Sequence, residues 1–157
     1  PVRLEPMSKF PVIRDLVVDR SRMFNALKKI NAWIPADGYH DLGPGERISP
    51  AHQQLAYKLS ECMTCGCCVE ACPQYSKGSD FLGAAAMSQA RLFNMHPTGR
   101  NLKKERLTVL MQKGGISECG NAQNCVEACP KSIPLTESIA DLGKQVNQQF
   151  WSILFSA

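Results

Sequence analysis

Apolar positions along this chain recur at helical rather than strand spacing over most of its length. Met23, Leu27 and Ile30 stand three to four residues apart and predict a helix over about 19–33, with Asp19 or Ser21 as its cap. Ser49-Pro50 is a helix start, the serine capping and the proline in the first turn, and this helix carries Leu55, Tyr57 and Leu59. A third helix is expected over 79–94, ending before His96-Pro97. A fourth is expected over about 101–113, with Leu102, Arg106, Leu107 and Leu110 at helical intervals and Gly114-Gly115 as its stop. The last begins near Pro134, where Leu135, Ile139, Leu142 and Val146 form one apolar stripe. Only the start of the chain reads otherwise. Pro6 and Pro11 disfavour helix there, and Val12, Ile13, Leu16, Val17 and Val18 make an apolar run, so residues 1–18 are expected to be extended. Residues 35–48 hold two prolines and three glycines and read as a loop. The pattern predicts an all-α domain over 19–157, preceded by an extended segment over 1–18.

Cysteine changes this picture most. There are eight, in two clusters. The first runs from Cys62 to Pro73 and contains C-x2-C-x2-C-x3-C-P, the ferredoxin-type iron–sulfur spacing. The second runs from Cys119 to Pro130 and reads C-x5-C-x3-C-P. Aligned on their Cys-Pro ends, Ala122 falls where Cys65 stands, so the second motif is the first with one ligand deleted. Disulfides would need an oxidising compartment, and no signal peptide or small secreted scaffold is visible. Zinc favours two C-x2-C knuckles with a spacer. Evenly spaced cysteines ending in Cys-Pro, twice, suit iron–sulfur clusters.

The short loop of each motif wraps the corners of one cluster, while its Cys-Pro cysteine completes the other. On that rule Cys62, Cys65, Cys68 and Cys129 hold a [4Fe–4S] cluster, and Cys72, Cys119 and Cys125 hold a [3Fe–4S] cluster. An alanine methyl has no electron pair for iron, so Ala122 points to the three-iron form; water or another side chain completing a four-iron cluster is the alternative. Cys67 is left over, as a buried inert thiol or a redox-active one.

Charge adds little. The formal charge is +4 and the hydrophobic fraction 44%. Seven ligating thiolates remove seven charges and oxidised iron–sulfide cores restore roughly three, leaving a near-neutral protein and no case for nucleic acid. Basic residues gather at Arg14, Arg20, Arg22, Lys28 and Lys29, read as a solvated helix face or a partner contact. No run of apolar residues is long enough to span a bilayer, and Phe150 to Phe155 reads as a packed tail or a subunit contact. The opening Pro1-Val2-Arg3 reads as a cut within a longer chain. His40, His52 and His96 lack metal-ligand spacing and are expected to make ordinary hydrogen bonds. Glu70 and Glu127, equivalent in the two motifs, are expected to face solvent near their clusters. No nucleophile–base pair, phosphate loop or catalytic carboxylate pair is present in the pattern.

These motifs together resemble the C-terminal half of the succinate dehydrogenase iron–sulfur subunit, with fumarate reductase as its relative. The resemblance rests on Phe10 to Asp19, on Cys62 to Pro73, on Cys119 to Pro130 with Lys131-Ser132-Ile133-Pro134, and on Met87 to Asn94 with His96-Pro97-Thr98-Gly99. The last two stretches look like the bacterial menaquinone-linked branch. The resemblance implies an α-helical ferredoxin-like domain that relays electrons and holds no substrate or flavin site. It implies a flavoprotein partner, a [2Fe–2S] cluster in a preceding domain, a haem-containing membrane anchor, quinone reached through that anchor, and a place on the cytoplasmic face of a bacterial membrane. Pro73, Tyr75, Lys77 and Gly120 are the candidate quinone or anchor interface. Ubiquinone-linked relatives place tryptophans and a histidine there, and this chain does not. A soluble seven-iron ferredoxin is the rival reading, disfavoured by the 46 residues between Cys72 and Cys119. Related cysteine-rich redox subunits keep two complete motifs, which Ala122 disfavours.

Overall fold

The computed structural model describes residues 1–35 and 46–155. The chain opens with an antiparallel hairpin of β1 (Val12–Arg14) and β2 (Val17–Val18), in which Val12 pairs with Val18. Asp15 makes the reversal with φ 54°, a left-handed conformation that aspartate tolerates. The extended expectation for residues 1–18 becomes this two-stranded ribbon, the one sheet among the described residues. Within this segment Phe10 is 3% exposed and belongs to the core.

Helix α1 (Ser21–Lys29) is shorter than its apolar spacing suggests. Asp19 accepts the Ser21 N–H at 2.8 Å and so anchors the start. Asn31, at φ 50°, takes the chain out of the helix. Helix α2 (Pro50–Ser60) starts where expected, with Ser49 Oγ accepting the His52 N–H and proline in the first turn. Two four-residue helices, α3 (Cys67–Glu70) and α6 (Asn124–Glu127), lie inside the cysteine motifs. Between them come α4 (Ala84–Met95) and α5 (Lys103–Met111), and the chain closes with α7 (Leu135–Phe155).

Two boundaries differ from the sequence pattern for nonlocal reasons. Residues 79–83 are not helical. The Leu82 N–H is taken by the Gly114 carbonyl at 2.9 Å, and Gly83 sits at φ +88°. A Cβ on Gly83 would stand 2.5 Å from Val69 Cγ1, so the helix begins only at Ala84. Residues Gly99–Leu102 form a 3-10 turn, so α5 begins later than expected and ends at Met111.

The core is the packing of α4 along α7, with α2 and α5 beside them. Met87, Ala90, Leu110 and Leu142 are fully buried there. Each large apolar side chain removed from water contributes about 1.5–3 kcal/mol. Arg106 is also fully buried, although the pattern placed it among apolar positions. It donates to the carbonyls of Asn31, Gly99 and Trp33 and to Asn94 Oδ1, at 2.6–3.1 Å. These bonds tie α5 to α4 and to the segment after α1. No helix among the described residues is long and apolar enough to cross a membrane. The end of α7 is not a packed tail: Phe150, Trp151, Ile153, Leu154 and Phe155 are all exposed.

Candidate iron–sulfur site

The two cysteine motifs fold into the same loop. Thr64 and Asn121 are equivalent, and both have positive φ, at 50° and 52°. Two residues on, Gly66 and Gln123 are left-handed as well, at φ 94° and 64°. Each left-handed residue caps the short helix that follows, α3 or α6. Alternating left- and right-handed residues turn successive N–H groups toward one concavity, which favours anions. Gly66 is required on two counts, since a Cβ there would also lie 3.2 Å from the Phe10 ring.

Each loop borders a cavity. One is lined by Cys62, Cys65, Cys68 and, from the other motif, Cys129. The second is lined by Cys119, Ala122, Cys125 and Cys72. The Cys-Pro cysteine of each motif therefore crosses to the cavity of the other. Cys67 lines neither cavity and is half-buried. A wider groove between α5 and the end of α7 contains no cysteine.

Helix N-termini supply part of both walls. Ala84 lines the second cavity and Ala85 the first, so the start of α4 stands between them. The run Ala84-Ala85-Ala86 is fully buried and small, which lets the backbone approach. Leu135, at the start of α7, lines the first cavity, and Thr136 and Ile139 line the second. The positive ends of two long helices thus face chambers built for anionic thiolates.

Three of the cavity thiols, those of Cys62, Cys68 and Cys125, resist ionisation without metal. Burial, reinforced by the charges of Cys62, Cys65 and Cys125, pushes the Cys68 thiol up to about 12. Burial also raises Cys62 and Cys125, and it raises Cys67 outside the cavities. Backbone N–H groups oppose it, from Thr64 at Cys62 and from Ala85 at Cys68. The Ile133 N–H points at Cys129 Sγ, 3.5 Å away. Binding of a metal cluster here would release protons, and the metal would supply the positive charge that holds the thiolates. Among the described residues no group of three or more His, Cys, Asp or Glu converges on a single ion position. The thiols instead stand around the walls of two cavities, which suits a polynuclear core with separated corners.

The N-terminal segment holds these loops, which no local pattern announced. Glu70 does not simply face solvent. Its carboxylate accepts the Ser8 N–H at 2.8 Å, the Ser8 hydroxyl at 2.6 Å and the Lys9 N–H at 3.1 Å. Burial opposes its ionisation, yet these bonds and the Lys9 charge hold the carboxyl below its ordinary value. Lys9 Nζ donates to the Cys72 carbonyl, and Arg20 Nη1 donates to the Thr64 carbonyl at 2.9 Å. Arg22 donates to the Ser76 and Ser79 carbonyls and lies 4.0 Å over the Tyr75 ring. Arg20 and Arg22 are thus bound to the loops and do not belong to a solvated face. Glu127, which lacks such partners among the described residues, is exposed as expected.

The candidate interface divides. Pro73, Lys77 and Gly120 are exposed. Tyr75 is 1% exposed and buried beside Phe10, so it is unavailable to a partner. Gln74 is the neighbour that the sequence reading passed over. Its amide nitrogen stands 2.5 Å from where a Cβ on Gly120 would be, so this amide covers the glycine. His52 pairs with the Met95 carbonyl at 2.9 Å, and His96 Nδ1 accepts the Thr98 and Gly99 N–H groups. His40 and most of the loop expected over 35–48 lie outside the described residues.

A helical domain with two thiol-lined chambers, each completed by the motif of the other, defines an iron–sulfur dicluster protein. A family described as a 4Fe-4S dicluster domain matches residues 58–133. The succinate dehydrogenase iron–sulfur subunit of Bacillus subtilis is 59% identical over 157 residues, covering all of this chain and 62% of that protein. The fumarate reductase iron–sulfur subunit of Wolinella succinogenes is 31% identical over 147 residues, covering 92% of this chain and 62% of that protein. A chain of the Mycobacterium smegmatis Sdh1 complex in the apo form shares the fold, with TM-score 0.74 and 24% identity over 93% of this chain and 61% of that one. The chain is similar to the iron–sulfur subunits of succinate dehydrogenase and fumarate reductase, and it spans about 62% of the length of these two curated relatives.

Proposed function

We propose that this chain is the cluster-bearing C-terminal part of the electron-transfer subunit of a succinate:quinone oxidoreductase. The observation that carries the reading is the crossing of Cys129 into the first chamber and of Cys72 into the second. Cys62, Cys65, Cys68 and Cys129 hold a [4Fe–4S] cluster, and Cys72, Cys119 and Cys125 hold a [3Fe–4S] cluster beside Ala122. When bound, these clusters supply one-electron carriage. The protein supplies thiolates, the helix N-termini at Ala84 and Leu135, and an apolar shell that excludes water. Adjacent residues line the two chambers, so the sites share a wall and electron transfer between them is short-range.

Residues 1–18 lead in from a preceding domain in the full protein, one that carries a [2Fe–2S] cluster. The partners in this reading are a flavoprotein that oxidises succinate and a haem-containing membrane anchor that binds quinone, of the menaquinone type. The chain then sits at the cytoplasmic membrane face through its partners, with Pro73, Gln74 and Gly120, which line the second chamber, and the exposed Lys77 as the docking edge. Succinate oxidation is favoured over fumarate reduction by the 59% identity to the Bacillus succinate dehydrogenase subunit, against 31% for the Wolinella fumarate reductase subunit.

The test is assembly. The full-length subunit, combined with its flavoprotein, should show succinate-dependent reduction of both clusters by low-temperature EPR. Clusters that stay oxidised in a complex whose flavoprotein reduces dye with succinate would contradict the relay.

A further inference from the structure

We propose that two cations of the N-terminal segment set the reduction potentials of the two cluster sites separately, Lys9 that of the second site and Arg20 that of the first. The inference rests on the cluster assignment above. Lys9 Nζ donates to the carbonyl of Cys72, whose thiol lines the second chamber. Arg20 Nη1 donates at 2.9 Å to the carbonyl of Thr64, which lines the first. Neither is a loose surface charge. The Lys9 backbone is held by Glu70, and the Arg20 guanidinium lies 5.9 Å over the Phe24 ring.

Each electron added to a cluster adds a negative charge. A fixed cation one residue from the cluster stabilises the reduced form and raises the potential. The surrounding charges decide whether that effect survives. Glu70 offsets part of the Lys9 charge, while Arg22, Lys77 and Asp19 share the groove beside Lys9. Removing Lys9 leaves the Glu70 carboxylate against the loop without its counter-charge, so the loss acts in one direction. Arg20 has no ion pair with a described residue, and its nearest anion along the chain, Asp19, is turned to the Ser21 N–H and hydroxyl. The carbonyls that receive these cations gain no information from their own sequence neighbours, so the arrangement exists only in the folded chain.

The experiment is an EPR-monitored redox titration of the assembled complex carrying the full-length subunit. Lys9→Met should move the midpoint of the three-iron cluster to lower potential and shift the four-iron cluster less. Arg20→Met should do the reverse. Lys9→Arg and Arg20→Lys, which keep the charge, should titrate close to wild type. If a methionine variant fails to assemble, Lys9→Gln and Arg20→Gln lose the charge, keep a donor, and should give the same shifts. Unmoved midpoints in variants with intact EPR lineshapes would overturn the proposal, as would equal shifts of both clusters in both variants, the mark of general loosening. A wild-type protein with two four-iron clusters would instead overturn the assignment on which it rests.

Discussion

Thr64 and Asn121 hold the same left-handed backbone, φ 50° and 52°, at the same place in loops whose next residues are Cys65 and Ala122. The second loop has kept its shape and lost a ligand. Asparagine tolerates this conformation more readily than threonine does. Ala122 lines the second chamber, so a thiol at position 122 would border whatever that chamber holds.

That relationship makes Ala122→Cys the sharpest substitution. The new thiol stands on a backbone already suited to it and faces the second chamber with Cys72, Cys119 and Cys125. The three-iron cluster should become a four-iron one, and its potential should fall because an anionic ligand is added. EPR of the oxidised variant should lose the three-iron signal.

The isolated chain should be brown and redox-active, yet show no succinate-dependent dye reduction. The residues around its two thiol-lined cavities include one cation, Lys131, and no carboxylate or histidine, so they offer no acid–base pair for a dicarboxylate. Turnover without a flavoprotein would remove the relay assignment.

Tyr75 and Lys77 should behave differently despite their closeness in sequence. Lys77 is exposed, and Lys77→Ala should leave stability and quinone affinity little changed. Tyr75 is buried between Phe10, Gly83 and the Arg22 guanidinium. Tyr75→Ala should cost roughly 3–5 kcal/mol through the cavity it leaves. The denaturant midpoint of the holo-subunit separates the two, and equal effects would contradict the burial.

Arg106→Met should destabilise by roughly 3–5 kcal/mol, because it strands several buried acceptors at once. The bonds lost reach Asn31, Trp33, Asn94 and Gly99. Arg106→Lys should recover only part, since one ammonium cannot reach acceptors that a planar fork spans. Denaturant midpoints of the two variants check the order.

Much of this was legible in the chain. Ser49-Pro50 marked its helix because capping is a local property, and the stripe of Leu135, Ile139, Leu142 and Val146 marked α7 because one face of it is buried. The cysteine spacing marked the chambers because ligands of one loop must share one cluster. What stayed hidden depends on distant partners. Residues 79–83 kept helical composition but were drawn out by Gly114. Glu70 looked like a solvated carboxylate until Ser8 and Lys9 arrived from the other end of the chain. Arg106 sat at an apolar interval with nothing nearby in sequence to show that four separate groups would hold it. Tyr75, three residues after Cys72, looked like an interface residue because a motif locates a site without saying which flanking side chain turns inward.

The measurement that bears most directly on the account is iron and sulfide content, with EPR, on the oxidised wild-type subunit. One three-iron and one four-iron cluster are expected in the part of the protein spanned by this chain, with the three-iron signal present before reduction. Two four-iron clusters there would contradict the account, because Ala122 would then stand beside a fourth ligand that the described residues do not provide.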